Sequence, residues 1–260
     1  MALIRIDHLP ATVKMNIPLY VIVPEPSEMN ETPVRERKVL YLLHGLSDDG
    51  SAWQRYSMIE IFARAYGLVV VMPSVTRSFY IDQPNGQKYF SYIVDELPKY
   101  MEDIFGITPT RENTLLAGLS MGGYGAIKAA FLRPHQYSAV AAFSGVLSLA
   151  ILANAPHDDR QEEFKSLFGD LSTLSGSEHD PAVWLAKAAQ DPTSLPKLFI
   201  ACGRQDDLYP LNVMFHSACE QLGIPIDYFE EDGRHDWYFW NKHIKRFLEL
   251  TLGPLSVEEV

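Results

Sequence analysis

The stretch TLLAGLSMGGYGAIKAAFL, residues 114–132, sets the architecture of this 260-residue chain. Its apolar beginning predicts a buried strand over Thr114–Gly118, and its second part predicts a helix over Met121–Leu132. The turn between them carries the pattern G-x-S-x-G, centred on Ser120. A turn of this kind holds the serine in a strained backbone conformation at the end of a strand, which predicts Ser120 as a nucleophile.

Short apolar runs bounded by turn residues recur on both sides of this stretch. Most are continuous rather than alternating, which is typical of parallel strands with helices on both faces of the sheet. The predicted strands are Leu3–Asp7 and Met15–Val23, expected at an antiparallel edge, then Val39–Leu43, Leu68–Met72, Thr114–Gly118, Ala139–Phe143, Leu198–Cys202 and Ile226–Phe229. The predicted helices are Ser51–Tyr66, Ser91–Phe105, Met121–Leu132, Tyr209–Leu222 and Asp236–Leu252. This alternation predicts a single α/β domain over residues 1–260, with a mostly parallel central sheet.

The regular alternation is interrupted over residues 146–196. Polar stretches such as HDDRQEEF and STLSGSEHD accompany short helical pieces there, without a clear strand. We interpret this segment as a small cap-like insertion. Open α/β sheets bind ligands beyond the carboxyl ends of their strands, so an insertion after such an end is expected to lie over the site and shape its pocket.

The composition of the chain excludes several classes of binding partner. The chain carries 33 acidic against 22 basic residues, a formal net charge of -11, which argues against nucleic acid or an anionic membrane as a partner. It shows neither a basic region followed by an apolar signal segment nor about 18 uninterrupted apolar residues, so neither export nor membrane insertion is expected. The two cysteines, Cys202 and Cys219, are too few for a disulfide framework or a cysteine-ligated metal site. We expect both thiols to be reduced, which indicates a cytoplasmic protein. The oligomeric state is open, and a homo-oligomer is compatible with the sequence.

His235 is the predicted general base. It follows the last predicted strand and precedes the last helix, within EEDGRHDWYFW. The chain order serine, acid, histidine is the one expected when G-x-S-x-G provides the nucleophile. His44, in LLHGLSDDG, is expected to stabilise the loop after its strand rather than to act as a base.

The acid is expected after the strand that ends near Cys202, where the chain reads GRQDD. Asp206 is preferred as the acceptor of the hydrogen bond from the second histidine nitrogen. Asp207 stays open as the alternative, facing solvent or capping the following helix, because adjacent side chains point in different directions.

Two backbone N–H groups are expected to stabilise the negative charge that develops on a carbonyl oxygen. Met121 follows the nucleophile and supplies one donor, and Leu46, in the turn after Val39–Leu43, supplies the other. Aromatic residues are candidates for the wall of a small acyl pocket. Those chosen for substrate binding are Trp53, Tyr80 and Trp237, with Phe79, Tyr89 and Phe90 as further candidates.

Three parts of the chain together resemble the esterase D and S-formylglutathione hydrolase group of α/β hydrolases, and within it the tributyrin-esterase-like carboxylesterases. They are YLLHGLSDDGSAW (41–53), AGLSMGGYGA (117–126), and CGRQDDLYPLN (202–212) with GRHDWYFW (233–240). The resemblance implies an α/β-hydrolase fold, a triad of Ser120, Asp206 and His235, and oxyanion donors at Leu46 and Met121. It also implies a hydrolase of short acyl esters or thioesters that needs no cofactor and no metal.

The residues and the resemblance together predict a serine carboxylesterase that hydrolyses short-chain acyl esters through an acyl-enzyme. HDWYFW departs from the His-Ser-Tyr-Tyr-Phe run of formylglutathione hydrolases, which favours a general carboxylesterase. S-formylglutathione thioesterase and acyltransferase, both using the same triad, are the alternatives. A noncatalytic binding module with this fold is a further class, disfavoured by the intact serine, aspartate and histidine.

Overall fold

The apolar runs pair into one sheet. The computed structural model describes residues 1–25, 33–84, 86–149 and 159–255. Its strands are β1 (Ala2–His8), β2 (Ile17–Val23), β3 (Val39–Leu43), β4 (Val69–Pro73), β5 (Thr114–Leu119), β6 (Ala139–Phe143), β7 (Lys197–Gly203) and β8 (Asp227–Glu231). Each lies at a predicted strand, with differences only at the ends.

The sheet is mostly parallel. The described strands form an eight-stranded sheet in the order β1-β2-β4-β3-β5-β6-β7-β8. β2 pairs antiparallel with both β1 and β4, whereas the strands from β4 to β8 across the sheet pair in parallel. The predicted antiparallel edge and the α/β-hydrolase architecture are confirmed.

Helices connect the parallel strands. Within the described residues they are α1 (Ala52–Tyr56), α2 (Ile59–Tyr66), α3 (Tyr89–Ser91), α4 (Leu97–Phe105), α5 (Met121–Leu132), α6 (Gln161–Phe168), α7 (Pro181–Ala188), α8 (Tyr209–Gln221) and α9 (Trp237–Leu252). A π-helical stretch, Tyr92–Glu96, joins α3 to α4. Short 3-10 turns occupy Val34–Glu36, Pro134–Gln136, Leu171–Thr173 and Pro192–Ser194.

The predicted helix Ser51–Tyr66 is wrong in one respect, because the structure breaks it into α1 and α2. Ser57 adopts an extended conformation, and its hydroxyl donates to the carbonyl oxygen of Trp53. The backbone N–H of Met58 donates to Asn241 Oδ1 at 2.7 Å. Side-chain partners thus replace helical hydrogen bonds at the break, a competition that serine commonly provides.

The π-helical stretch before α4 also has a local cause. Pro98 has no N–H to donate to the carbonyl of Val94, and its ring crowds that carbonyl. The Val94 carbonyl oxygen instead accepts from Gln136 Nε2 at 3.0 Å. The carbonyl keeps a partner while the helix widens around the proline.

Both faces of the sheet are apolar because helices cover both. Along β3, Leu40 and Leu42 pack in one buried cluster, whereas Tyr41 and Leu43 pack in the cluster on the opposite face. The first cluster includes residues of α2 and α9, and the second residues of α4, α5 and α8. Successive side chains of a strand point to opposite faces, so continuous apolar runs are what a doubly covered sheet requires. Because neighbouring strands from β3 to β8 across the sheet run parallel, their carboxyl ends lie at the same edge of the sheet. The site residues lie at this edge.

Candidate functional site

Ser120 occupies the tight turn between β5 and α5. Its backbone has φ 54° and ψ −117°, a conformation that residues with a side chain rarely adopt. The turn brings backbones so close that a Cβ on Gly118 would lie 2.2 Å from the Gly122 oxygen. A Cβ on Gly122 would lie 2.4 Å from the Leu43 oxygen. Both glycines are therefore required by the approach of α5 to β3 and β5.

A line of hydrogen bonds joins three side chains from distant parts of the chain. Ser120 Oγ lies 3.1 Å from His235 Nε2, and His235 Nδ1 lies 2.9 Å from Asp206 Oδ2. The second carboxylate oxygen of Asp206 accepts from the Leu208 N–H at 2.8 Å. With the proton on Nδ1, the imidazole donates to Asp206 and presents Nε2 as an acceptor to the Ser120 hydroxyl.

Asp206 is held ionised at the buried end of this line of hydrogen bonds. Its side chain is fully buried, and burial on its own raises the pKa of a carboxyl group. Hydrogen bonds from the His235 side chain and from the Leu208 N–H outweigh burial, so the pKa of Asp206 lies below its ordinary value. Of the two carboxylates that the sequence left open, Asp206 contacts His235, whereas Asp207 is exposed.

The loops that carry the acid and the histidine are tied together. The Gln205 N–H donates to the Gly233 oxygen at 3.0 Å, and Gln205 Oε1 accepts from the Gly233 N–H at 2.8 Å. On the far side of His235, the Asp236 side chain caps α9 by accepting from the Phe239 N–H at 3.0 Å. These contacts fix the histidine between two anchored points. Gln205 was not identified from the sequence.

The backbone groups expected to bind a carbonyl oxygen border the same cavity as Ser120. Met121 is the first residue of α5, so its N–H has no acceptor within the helix. Leu46 lies in the turn after β3, and both residues line the cavity. A carbonyl oxygen bound beside Ser120 would therefore lie in the cavity that Leu46 and Met121 also line.

His44 holds the Leu46 loop. Its Nδ1 donates to the Gly45 oxygen at 2.7 Å, and its Nε2 accepts from the Val75 N–H at 3.0 Å. The Tyr80 hydroxyl donates to the His44 oxygen at 3.0 Å. Burial lowers the pKa of His44 to about 4, so the ring is neutral and both nitrogens serve the loop.

We predict that acid weakens this loop. Because the pKa of His44 is near 4 when folded and about 6.5 when unfolded, its contribution to stability is complete above pH 6.5 and decreases toward pH 4. The full loss is up to about 3 kcal/mol. Denaturant unfolding from pH 7 to pH 4 is expected to give a shallower pH slope for His44→Gln than for the wild type. Exposed His135→Gln is the matched control, and equal slopes for wild type and His44→Gln contradict the prediction.

The cavity has a volume of about 650 Å³. Ser120, His235 and the loop of Leu46 line it together with apolar and aromatic side chains. The lining residues include Leu46, Asp48, Phe79, Ser120, Met121, Val146, Arg160, Phe164, Asp206, Asp207, Leu208, His235, Asp236, Trp237 and Trp240. Phe164, Val146, Arg160 and Trp240 were not identified from the sequence.

The aromatic residues chosen from the sequence fall in two layers. Trp237 lines the cavity, whereas Trp53 and Tyr80 are buried outside its lining. Trp53 packs edge-on against Trp237 with ring centroids 5.1 Å apart, and its indole N–H donates to the Leu43 oxygen at 3.1 Å. Tyr80 holds the His44 loop through its hydroxyl. The structure thus places both behind the cavity wall, where they support the loop that carries Leu46.

Part of the predicted insertion reaches the cavity. Residues 150–158 of the predicted segment 146–196 lie outside the described residues. Within the described part, Arg160 and Phe164 at the start of α6 line the cavity. The helix is attached to the loop after β4 by an ion pair of Arg77 with Glu163, with one N–O distance of 2.6 Å, and by edge-on packing of Phe164 on Phe79 at 5.7 Å.

Charge in the cavity is mixed. Asp48, Asp207 and Asp236 face it together with Arg160. Burial raises the pKa of Asp48 above its ordinary value, which reduces the tendency of this carboxyl to hold a charge beside Ser120. In the ranges that the structure describes, His, Cys, Asp and Glu side chains form no group of three suited to a metal ion. Over the same ranges no helix has the length and apolar character to cross a bilayer.

Comparisons with known proteins agree with this geometry. A family model described as "Putative esterase" matches residues 11–248. An acetyl esterase of Caldicellulosiruptor saccharolyticus is 32% identical over 259 residues, covering 96% of this chain and 97% of the relative. The Bos taurus S-formylglutathione hydrolase is 26% identical, covering 90% of this chain and 87% of the relative.

Solved structures with the same fold include two from Staphylococcus aureus. The fluorophosphonate-binding serine hydrolase FphF superposes with a TM-score of 0.87 at 34% identity, covering 97% of this chain and 99% of that one. The S-formylglutathione hydrolase FrmB superposes with a TM-score of 0.86 at 35% identity, covering 96% and 98%. The chain therefore belongs to the esterase family of α/β hydrolases and is a carboxylic ester hydrolase.

Proposed function

We propose that the chain is a serine carboxylesterase that hydrolyses short-chain acyl esters through an acyl-enzyme on Ser120. The observation that carries the proposal is the line of hydrogen bonds from Ser120 Oγ through the His235 imidazole to the buried Asp206 carboxylate. A serine hydroxyl needs a base within hydrogen-bonding distance, and that base needs a fixed tautomer. Both conditions are met.

The first half of the proposed reaction forms the acyl-enzyme. His235 Nε2 takes the Ser120 proton as Oγ attacks the ester carbonyl carbon. The carbonyl oxygen becomes negative and accepts hydrogen bonds from the Leu46 and Met121 N–H groups, each worth about 3 kcal/mol. When the bond to the leaving alcohol breaks, the imidazolium gives its proton to the departing oxygen, and Asp206 stabilises the charged ring in between.

The second half releases the acid. His235 takes a proton from water, and the resulting hydroxide oxygen attacks the acyl carbon. The bond to Ser120 Oγ breaks, and the imidazolium returns the proton to that oxygen. The carboxylic acid leaves and the free enzyme is restored. Every proton is transferred through Nε2, which is why the Nδ1 contact to Asp206 has to hold the ring in place.

The short acyl preference is supported by the cavity wall. Phe79 and Phe164 line the cavity and pack edge-on with ring centroids 5.7 Å apart, and Val146 adds to the same apolar lining. Acyl and alcohol parts share one cavity of about 650 Å³. The relative described as an acetyl esterase also supports a preference for short acyl groups.

We predict that p-nitrophenyl acetate and butyrate are hydrolysed with kcat/KM at least about tenfold above the octanoate, since ~1.4 kcal/mol of lost fit gives that factor. Phe164→Val is expected to raise kcat/KM for the octanoate relative to the shorter esters, because the smaller side chain enlarges the part of the cavity that binds the acyl chain. Phe215→Val is the matched control, because Phe215 is a buried phenylalanine of α8 that packs edge-on against Phe131 outside the cavity lining. Octanoate turnover equal to butyrate turnover in the wild type contradicts the proposed preference.

S-formylglutathione hydrolysis is the second candidate, favoured by the 35% identical Staphylococcus aureus structure of that name. The same acyl-enzyme forms from a thioester, with a thiolate as leaving group. Including S-formylglutathione in the ester series distinguishes the two, because a thioesterase is expected to give its highest kcat/KM on that substrate. Adding a competing alcohol to the same reactions tests acyl transfer, since a transferase forms the new ester despite the excess of water.

We further propose a small-molecule ester as the partner in a reducing compartment such as the cytoplasm. The support is that Cys202 and Cys219 are buried free thiols and that the chain is acidic. Fractionation of cells that express the chain with an epitope tag tests the compartment. Recovery outside the cytoplasm overturns this part of the proposal alone.

A further inference from the structure

Three aromatic side chains continue outward from the His235 imidazole. Trp240 packs edge-on against the His235 ring with centroids 4.9 Å apart. Trp237 packs edge-on against Trp240 at 5.3 Å, and the Tyr56 ring is tilted against Trp237 at 5.4 Å. Trp240 is buried, Trp237 is half-buried and Tyr56 is 49% exposed. Trp240, Trp237 and Tyr56 therefore form an aromatic row that leads from the proposed base to the surface.

The inner part of the aromatic row borders the catalytic cavity. Trp240 and Trp237 line this cavity together with Ser120 and His235. Tyr56, the last residue of α1, contacts Trp237 from outside the lining. An apolar surface is thus continuous from the reacting atoms to the exposed end of α1.

The two outer rings of the row are held by neighbouring side chains. Buried Trp53 packs edge-on against Trp237 with centroids 5.1 Å apart. The guanidinium carbon of Arg55 lies 4.9 Å from the centroid of the Tyr56 ring, and Arg55 Nη2 donates to the Tyr56 hydroxyl at 3.0 Å. A surface whose side chains are already held loses less conformational entropy when a ligand binds to it.

The proposed reaction determines which part of the ester faces the row. His235 Nε2 gives its proton to the departing alcohol oxygen, so that oxygen lies within about 3 Å of Nε2 when the bond to it breaks. The group attached to the oxygen therefore lies on the His235 side of the cavity, where the aromatic row begins. Phe79 and Phe164, which support the short acyl preference, have no ring contact with the row among the residues that the structure describes.

Charge beside His235 disfavours a negatively charged alcohol. Asp207 and Asp236, the chain neighbours of Asp206 and His235, both line the cavity. Like charges brought together in a partly desolvated site repel, which selects against an anionic leaving group. A neutral aromatic group meets no such repulsion, and aromatic rings prefer edge-on or offset contacts with one another.

We propose that the aromatic row binds the alcohol part of the ester, and that the preferred substrates are esters of neutral alcohols that carry an aromatic ring. This inference rests on the proposed function of the Ser120 site. It assigns Trp237 to the alcohol rather than to the acyl pocket for which the sequence selected it. Tyr56, which was not identified from the sequence, becomes a specificity residue at the outer end of the row.

The test varies the alcohol while the acyl group stays acetyl. Benzyl acetate carries an aromatic ring, cyclohexylmethyl acetate carries a saturated ring with the same number of carbons, and ethyl acetate carries no ring. In the wild type, kcat/KM for benzyl acetate is expected to exceed that for cyclohexylmethyl acetate by about threefold and that for ethyl acetate by about tenfold or more. Titration of the released acetic acid measures all three reactions in the same way.

Two variants shorten the row. Tyr56→Ala removes the exposed outer ring and is expected to lower the benzyl-to-ethyl ratio of kcat/KM by about threefold. Trp237→Leu removes the central ring and is expected to lower the same ratio by about tenfold. Tyr238→Ala is the matched control, because Tyr238 is 91% exposed, follows Trp237 in the chain and lies outside the lining of the catalytic cavity. Its ratio is expected to equal that of the wild type.

An acyl series on one alcohol is the second measurement. Tyr56→Ala is expected to keep the wild-type ratio of kcat/KM between p-nitrophenyl butyrate and octanoate, because the residue contacts the alcohol part only. A change in this acyl ratio with an unchanged benzyl-to-ethyl ratio would place the row beside the acyl chain and overturn the inference. A general loss of folded enzyme lowers all rates together and leaves both ratios unchanged.

A benzyl-to-ethyl ratio that stays at the wild-type value in both Tyr56→Ala and Trp237→Leu overturns the inference. Equal kcat/KM for benzyl and cyclohexylmethyl acetate in the wild type overturns the aromatic preference. Ser120→Ala is assayed in parallel on benzyl acetate. If that variant stays active, the proposed function itself fails; if it is inactive while the row variants keep the wild-type ratio, only the inference about the alcohol fails.

Discussion

Ser120→Ala is expected to lower kcat/KM for p-nitrophenyl acetate by about 10⁴-fold or more, with little change in the unfolding midpoint. The variant removes the atom that we propose attacks the ester, and it keeps every other part of the site. The backbone at this position stays at φ 54°, which alanine bears no worse than serine. The measurement is steady-state hydrolysis beside thermal unfolding of both proteins.

Ser47→Ala is the matched control for this loss. Ser47 also lines the cavity, but it lies beyond Leu46 and makes no contact with His235 in the hydrogen bonds of the site. We expect its kcat/KM to stay within about tenfold of the wild type, since a lining hydroxyl contributes at most one weak contact. Residual activity of Ser120→Ala above about one tenth of wild type contradicts the assignment of the nucleophile.

Asp206→Asn is the second change with a large expected effect, about 10⁴-fold in kcat. The amide fits the same space, but its NH₂ group donates to His235 Nδ1, where the carboxylate accepted. The imidazole proton then moves to Nε2, which can no longer accept from Ser120 Oγ. Burial of the side chain leaves water no access to restore the lost acceptor.

Asp207→Asn distinguishes tautomer control from a general loss of charge. Asp207 is the adjacent carboxylate and faces the same cavity from an exposed position. The same substitution there leaves His235 Nδ1 bonded to Asp206, and we expect a loss below about tenfold. Equal losses in the two variants contradict the proposal that Asp206 alone fixes the tautomer of His235.

The parts of the site that follow local sequence rules were predictable. A strand, glycines and a helix around Ser120 predict the turn because backbone approach leaves room for nothing larger. His235 was predictable from its place between the last strand and the last helix. Met121 and Leu46 line the same cavity as Ser120, which their positions in these turns predict, and their role as oxyanion donors stays a prediction.

The choice between Asp206 and Asp207 depends on tertiary structure. The side chains of adjacent residues point in directions that depend on the local backbone angles. The sequence of two aspartates does not encode those angles. The structure buries Asp206 because its carboxylate accepts from both the Leu208 N–H and His235. Its neighbour then has to face outward.

Aromatic residues of the pocket were the hardest to predict from the sequence. Trp53 and Tyr80 have the composition of a pocket wall, yet each uses its polar atom to hold a backbone oxygen, of Leu43 and His44 respectively. How deeply Trp53 and Tyr80 are buried depends on the packing of α1 and of the loop after β4. The sequence does not specify that packing. Phe164 reaches the cavity from α6, a helix that the sequence does not connect to the loop after β4 but that Arg77 and Glu163 join to it in the structure.

The most direct test of the central claim is labelling with a fluorophosphonate, followed by intact mass and peptide mapping. Attack by Ser120 Oγ on phosphorus with loss of fluoride adds one phosphonyl group. We predict one adduct per chain, on Ser120, and a labelling rate at least about 10³-fold lower in His235→Gln, where the base is gone. An adduct on another residue, or an undiminished rate without His235, contradicts the claim.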